Sequence, residues 1–545
     1  MQDERPSQEL PTGGEPSSRN AALTLAGVMA LAVVLRVAPL LARNYVGDAD
    51  QGTYLQLSSQ ILQGSYPTGN TGPGFGAVVA LCRMLGVPFE WSGRVASFLL
   101  GLVVVLLAFA VARKLYGLAA GLVCAFLLAV HAAFVDISMN GVAENALLVG
   151  LLAGLLSLLA VREARTARAA GVLGIISGLC FGYAYLVRPD GFLYGIVFPV
   201  ALFLAAPRAD GRGRNVALGG GLAVATLVAC LLANTLAVRR ATGEWRPQQR
   251  GLAEASAHDE GSEQAVEQAL YSLSSPAVDA PARSLASRTK RLVHNVHVAY
   301  TQSLPEGLDP LLMALAGFGL IALLLVGEHR WRELTLSSAW LVFPALSIAY
   351  AAHLRHLLPL VLIALFWAAS GICTVAGFGE GGKWPSMTSR RSAKCVAVLC
   401  GIVLLTQLKP NIDLTQAAFN GEVPTEEKTA GSWLKDHAPA DSLVLERKSV
   451  VAFYACMRGL VPPPSSIGDA LTFAAERNAR YLIVSERRLS YRPFLKPLLD
   501  PAWSGSPKLR RVYETPVTKR QPQKLVIYEF TPTEYTVPER SIRAT

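Results

Sequence analysis

The sequence predicts an α-helical polytopic membrane protein, with about eleven transmembrane helices and a small C-terminal α/β soluble domain. Three observations predict it. Apolar runs fill residues 21–408, basic residues collect between alternate runs, and after residue 409 the pattern changes to short strands and helices.

The apolar runs set the count. Apolar residues make up 52% of the 545-residue chain and charged residues 16%, against about 25% charged in an ordinary soluble domain. A bilayer core takes roughly 20 apolar residues per helix. Runs that meet or approach this fall at 21–42, 94–112, 118–135, 142–160, 171–187, 191–206, 215–237, 309–327, 333–351, 356–376 and 395–409. The first is too long for a signal-peptide core and has no clear cleavage site, so it reads as a retained span. Residues 1–20, with their Pro, Gly, Ser and Glu, read as a disordered cytoplasmic tail.

Charge tests the count. Basic clusters lie at Arg113 and Lys114, at Arg162, Arg165 and Arg168, and at Arg208, Arg212 and Arg214. Two more lie at Arg330 and Arg332, and at Lys383, Arg390, Arg391 and Lys394. Counted from a cytoplasmic N-terminus, all five fall on the cytoplasmic side, as the positive-inside rule requires. The net charge of +11 is therefore an orientation signal, and no nucleic-acid partner is expected. Segment 74–87 is too short to span, is interrupted by Arg83 and ends at Pro88. It reads as an interfacial helix on the external side, because making it a span would reverse every later loop. The same parity puts loops 43–93 and 239–309 and the domain 409–545 outside.

The eight cysteines have no ligand spacing such as Cys-x-x-Cys, and they read as small apolar residues. The tail alternates a helix at 426–437, a strand at 442–445, a helix at 470–478 and apolar strands at 481–484 and 525–530. Short buried strands separated by helices predict a small α/β domain.

Polar residues that could carry chemistry gather on the external parity. The first loop reads Gly47-Asp48-Ala49-Asp50-Gln51-Gly52-Thr53-Tyr54 and runs into an amphipathic stretch to Leu62. Such a helix lies in the interface plane and holds the carboxylates at headgroup level, although spacing alone allows two solvated loop acids. Glu144 opens the fourth span, where a helix N-terminus by itself favours an acid. Tyr185-Leu186-Val187-Arg188-Pro189-Asp190-Gly191 joins two spans. It is a tight turn with either a snorkelling or a functional arginine. His353-Leu354-Arg355-His356-Leu357-Leu358-Pro359 opens the tenth span, as interfacial anchors or as an anion site. Independent parity counts bring all of these to one face. Acids beside cations at a lipid interface fit a reaction on a lipid-linked phosphate.

These motifs resemble those of the GT-C membrane glycosyltransferases. The likeness is to the bacterial family 39 enzymes, which include lipid A aminoarabinose transferases and relate to protein O-mannosyltransferases. That family carries Asp-Glu-x-x-Tyr in its first external loop, matched by Asp50-Gln51-Gly52-Thr53-Tyr54 with Gln51 in place of Glu. Its Tyr-Leu-Thr-Arg-Pro-Glu-Gly is close to residues 185–191, its Arg-Tyr-Leu-Leu-Pro to residues 355–359, and its acid at the fourth span to Glu144. The tail is similar through Trp433-Leu434, residues 447–454 and Tyr481-Leu482-Ile483-Val484.

The resemblance implies a glycosyltransferase of the bacterial cytoplasmic membrane. It would move a sugar from a polyprenyl-phosphate donor to a lipid, glycan or protein acceptor outside, with inversion. Asp50 is the expected base, with Asp48 and Glu144 beside it in the catalytic set. Arg188, Arg355 and His356 are expected to hold the donor phosphate, and Tyr54, Asp190 and His353 are further site residues. No cofactor is assigned, and a divalent metal is left open. Two alternatives stand beside this reading: a transporter or flippase of lipid-linked glycans, and a non-catalytic glycan-binding scaffold.

Overall fold

The computed structural model describes residues 18–42, 46, 49–67, 72–205, 211–243, 245, 285–326, 330–343, 354–377, 390–420, 425–448, 450–462, 466–503, 506–518 and 521–530. Asp48, His353 and residues 1–17 lie outside them, as do residues 246–284 of the expected long loop.

The membrane part begins with α1 (Ser18–Ala42), α2 (Ala49–Leu62), α3 (Pro73–Met84), α4 (Phe89–Tyr116), α5 (Leu118–Val130) and α6 (Ala132–Ile137). It continues with α7 (Glu144–Val161), α8 (Ala167–Val187), α9 (Asp190–Leu204) and α10 (Gly211–Thr242). Then come α11 (Leu285–Val298), α12 (Leu304–Gly307), α13 (Pro310–Val326), α14 (Arg330–Ser337), α15 (Leu354–Gly377) and α16 (Arg390–Asn420). Among the described residues, seven helices are long and apolar enough to cross a membrane: α1, α4, α7, α8, α10, α15 and α16. Residues 292–307 and 310–325 add an eighth if that pair, bent by 104°, is one broken span.

The expected spans differ from the helices at definite breaks. Run 118–135 divides at His131 into α5 and α6, and run 191–206 becomes the 15-residue α9 with Pro199 inside it. Run 333–351 opens with the eight-residue α14 and a 3-10 turn at Ser338–Leu341, and its residues 344–350 are outside the described ones. Hydropathy measures apolar length and is blind to where a helix stops. The converse holds at 409, where α16 continues to Asn420 through Pro410.

The break at His131 leaves the last carbonyls of α5 short of helical partners, and each of the final four is satisfied. Leu127 O accepts from His131 N at 3.0 Å. Arg36, fully buried in α1, donates Nη2 to Leu128 O at 3.1 Å and Nη1 to Ala129 O at 2.9 Å. Asn411 Nδ2 donates to Val130 O at 2.7 Å. A buried unsatisfied carbonyl costs several kcal/mol in hydrocarbon, so Arg36, a charge the hydropathy reading passed over, is what makes the break tolerable.

Small residues bring α8 and α10 together. A Cβ on Gly174 would overlap Gly219 O, and one on Gly178 would overlap Ala223 O. Helices in lipid associate through such close backbone approach. Segment 74–87 corresponds to the 12-residue α3. Arg83 does not interrupt it, but donates to Ser58 Oγ at 2.9 Å and Ser59 Oγ at 2.8 Å on α2. The apolar face of α2, with Tyr54, Leu55 and Leu57 buried, therefore packs against protein. It does not face lipid as the amphipathic pattern suggested.

The C-terminal domain contains α17 (Thr425–His437), β1 (Leu443–Leu445), α18 (Val450–Tyr454), β2 (Arg458–Leu460) and α19 (Ile467–Glu476). It ends with β3 (Tyr481–Ser485), β4 (Leu509–Glu514) and β5 (Leu525–Phe530). The sheet order is β2-β1-β3-β5-β4; β1 runs parallel to β2 and β3, and β5 antiparallel to β3 and β4. The expected helices and strands occur, whereas β2 and β4 had no sequence signal: neither is an apolar run. Strand alternation divides the core. Val444, Tyr481, Ile483 and Ile527 face α17 and α18, while Leu445, Leu482, Val484 and Val526 face α19 and the 3-10 turns after β3.

Candidate active site

The corner between α8 and α9 is shaped by its own four residues. Arg188 precedes a proline and is driven into extended backbone, φ −149° and ψ 141°, which ends α8. Pro189 then lets α9 start at once with Asp190. A Cβ on Gly191 would overlap the backbone at Ala184 and Tyr185, so the chain returns onto α8 only because this residue is glycine. Nearby, Gly74 lies so close to Val187 that α3 is pressed against the same corner.

Arg188 is the hub this corner presents. Its Nε donates to Asp190 Oδ1 at 3.1 Å, its Nη1 to Glu144 Oε1 at 3.3 Å, and its Nη2 to His356 Nδ1. The last bond requires an imidazole with a lone pair on Nδ1. Glu144 and Asp190 are both buried, and their second oxygens, Oε2 and Oδ2, accept no hydrogen bond among the described residues. One residue before His356, Arg355 Nη1 donates to Asp50 Oδ2 at 3.0 Å. Glu144 also interacts electrostatically with Arg355 and Asp50, which joins the two clusters. Six of the nine predicted site residues therefore meet: Asp50, Glu144, Arg188, Asp190, Arg355 and His356. Tyr54 is buried in the hydrophobic core, edge-on to Phe75 with ring centroids 4.8 Å apart. Asp48 and His353 lie outside the described residues.

Sequence reasoning missed Lys448. Its Nζ lies 3.6 Å from Asp50 Oδ1, so a cation from the C-terminal domain reaches the membrane part's acid. The segment around it is the docking surface. Phe453 packs on Phe89 with ring centroids 4.7 Å apart. Tyr454 Oη donates to Glu90 Oε1 at 2.7 Å and accepts from Val46 N at 2.8 Å, and Lys428 Nζ lies 2.9 Å from Glu90 Oε1. The available signal was residues 447–454, which the resemblance had marked without a role.

Gln51 is also explained by its surroundings. It is buried against Gly93 and Gly141, with Nε2 3.5 Å from Glu90 O. A glutamate there would bury a charge against a carbonyl oxygen. As for a metal, Asp50 already lies between the cations Arg355 and Lys448, a setting that repels a divalent ion. No three His, Cys, Asp or Glu side chains among the described residues form a metal-ligand group.

Comparison with known proteins adds a fold relationship. Residues 70–234 match the profile of the family described as dolichyl-phosphate-mannose-protein mannosyltransferase. No single curated protein matches the chain. Among solved structures, the oligosaccharyltransferase of Archaeoglobus fulgidus, tethered to an acceptor peptide, superposes with a TM-score of 0.60 at 12% identity, over 88% of this chain and 71% of that one. ArnT from Cupriavidus metallidurans, bound to undecaprenyl phosphate, superposes with a TM-score of 0.57 at 14% identity, over 94% of this chain and 98% of that one. The Archaeoglobus protein with an inhibitory peptide and a dolichol-phosphate gives 0.56 at 13%, over 95% and 75%.

Proposed function

We propose that this chain, a membrane protein of the GT-C fold related to aminoarabinose transferases and O-mannosyltransferases, transfers a sugar from a polyprenyl-phosphate donor to an acceptor outside the cytoplasmic membrane. The observation that carries this reading is the joined pair of ion clusters, Asp50–Arg355 and Glu144–Arg188–Asp190 with His356, at one end of the helix bundle. The matched family profile and the lipid phosphates bound by the neighbouring structures support it.

The chemistry follows from the groups present. Asp50 is the carboxylate that the ion pairs with Arg355 and Lys448 hold in place, and a carboxylate can take a proton. Asp50 removes the proton of the acceptor hydroxyl, whose oxygen attacks the anomeric carbon. The bond from that carbon to the lipid phosphate breaks, and its electron pair leaves on the phosphate oxygen. Arg188 and Arg355, with His356, hold that developing charge. In the described geometry Arg355 is bonded to Asp50. A donor phosphate would draw Arg355 to itself and release Asp50 as the base. The open oxygens of Glu144 and Asp190 then accept from sugar hydroxyls. One base and one departing phosphate give direct displacement with inversion.

The test is to mix the purified chain with labelled polyprenyl-phosphate sugar and an envelope extract. Acceptor-dependent release of free lipid phosphate, with the label moved to an envelope component, is expected. Retention of all label on the lipid, with every extract that supports growth of the source cells, would refute the reading.

A further inference from the structure

The C-terminal domain sends Lys448 to the acid of the membrane part, and the backbone on both sides of that lysine is tied down. Lys448 lies between β1 and α18. Two residues before it, Glu446 N donates to Leu460 O of β2 at 2.9 Å. The Glu446 carboxyl accepts the amides of Val451 at 2.9 Å and Ala452 at 2.7 Å, which ties the end of β1 to the first turn of α18. Two residues after the lysine, Val450 N donates to Lys448 O at 2.6 Å. Phe453 and Tyr454, at the end of α18, then seat the segment on Phe89 and Glu90 of α4. The lysine stem therefore starts from a fixed backbone.

Asp50 stands in the first turn of α2. Its neighbour Gln51 is packed against Gly93 and Gly141, so the backbone at Asp50 is placed while its carboxylate can still turn about the side-chain bonds. Two cations restrain that rotation, one on each oxygen. Lys448 Nζ lies 3.6 Å from Oδ1, and Arg355 Nη1 donates to Oδ2 at 3.0 Å. The two cations are not equivalent. The Arg355 side chain is 39% exposed and that of Lys448 22%. Arg355 also adjoins His356, which is bonded to Arg188, whereas Lys448 belongs to the anchored segment. Arg355 is thus the cation that a donor phosphate can draw away, and Lys448 the one that stays on Oδ1.

We propose that Lys448 is a positioning residue for the base. It holds Oδ1 of Asp50 once Arg355 has turned to the donor phosphate, so that Oδ2 is presented to the acceptor hydroxyl. The proposal rests on the transferase reading above, and adds to it that the C-terminal domain completes the active site. Lys448 acts through Asp50 and keeps its own protons throughout. The acceptor proton passes to Oδ2, and the acceptor oxygen bonds the anomeric carbon as the bond to the lipid phosphate breaks. A carboxylate released by both cations would turn away from that line of attack, and a misplacement of about 1 Å costs about a hundredfold in rate.

The test compares Lys448→Met, which keeps a long stem and loses the charge, with Lys448→Arg, which keeps the charge. It uses the full-length protein in detergent, labelled polyprenyl-phosphate sugar and the envelope extract. Lys448→Met should lower kcat about tenfold to a hundredfold. Its KM for the donor, and its affinity for polyprenyl phosphate in calorimetric titration, should be largely kept. Lys448→Arg should recover most of the lost turnover, since an ion pair at 3.6 Å asks for a charge and not for a fork of donors. Unchanged kcat in Lys448→Met overturns the proposal. So does a matching loss of polyprenyl-phosphate affinity, which would make Lys448 a donor ligand. An arginine variant as slow as the methionine one overturns it too, because the loss would then be one of packing. Should Lys448→Met lose its thermal transition, Lys448→Gln takes its place under the same criteria. Absence of transfer by the unmodified protein is a different result, the failure of the transferase reading itself.

Discussion

Asp50 sits between Arg355 and Lys448, cations from two separate parts of the chain. Asp50→Asn keeps the shape and loses the proton acceptor. Turnover should fall about a hundredfold to ten-thousandfold with donor binding largely kept, and Asp48→Asn should matter less. Rates for both single variants at saturating donor check this, and full activity in Asp50→Asn would remove Asp50 from the role of base. Arg188 calls for a different change. It uses three nitrogens on three partners, which a lysine ammonium cannot reproduce. Arg188→Lys should therefore weaken donor binding by about tenfold or more, the scale of one charge-assisted bond. Unchanged donor affinity would make Arg188 an interfacial anchor.

Helix α8 delivers Arg188 to the site, and its position depends on contact with α10. Gly174→Leu would drive a side chain into Gly219 of α10, at a cost of about 1–3 kcal/mol or more by overpacking, and would shift Arg188 with the helix. Gly221→Leu, on α10 with open space around it, is the control. Thermal unfolding in detergent should show a lowered midpoint for the first variant only, and equal midpoints would refute the packing argument. In the C-terminal domain two carboxyls give stability opposite dependences on pH. Burial pushes the Glu446 carboxyl well above its usual range, against the pull of the two amides it accepts. Its contribution is present in acid and is lost as pH rises from about 4.5 through the raised value. Arg510 and Arg480 hold Glu529 below its usual range, so its contribution is present in neutral solution and is lost as pH falls through the lowered value. Melting curves across pH should show Glu446→Gln with a shallower loss toward alkali and Glu529→Gln with a shallower loss toward acid. Parallel curves for all three proteins would contradict both assignments.

At the scale of the whole molecule the polar groups divide between two ends. Asp50, Glu144, Arg188 and Arg355 occupy one end of the helices. Lys114 with Glu163, and the buried Glu333 accepting from Tyr116 and from Trp367 Nε1 at 2.8 Å, occupy the other. The C-terminal domain docks at the first end. We expect that end to face outward, from the charge parity of the short loops. Cys456, exposed in the C-terminal domain, offers a native test. A membrane-impermeant maleimide should label it in spheroplasts before lysis. Labelling only after lysis would reverse the orientation and with it the assignment of the reaction to the outer face.

By itself the sequence determined what depends on local composition: a polytopic helical chain, a small α/β tail, and an arginine, a proline and a glycine that build the α8–α9 corner. Asp50, Glu144, Arg188 and Arg355 were legible because each lies at a helix end, where parity alone assigns it to a face. Tertiary structure decided what depends on meeting across the chain. Lys448 is 398 residues from Asp50 along the chain (448 against 50) and lies 3.6 Å from it in space, and no local pattern encodes that pairing. Gln51 looked like a defect in a catalytic motif until its burial beneath Gly93 and Gly141 showed a packing role. Arg36 was hidden inside an apolar run because the carbonyls it satisfies belong to another helix. Hydropathy reads one segment against its solvent, whereas these residues answer to neighbours that only the folded chain supplies.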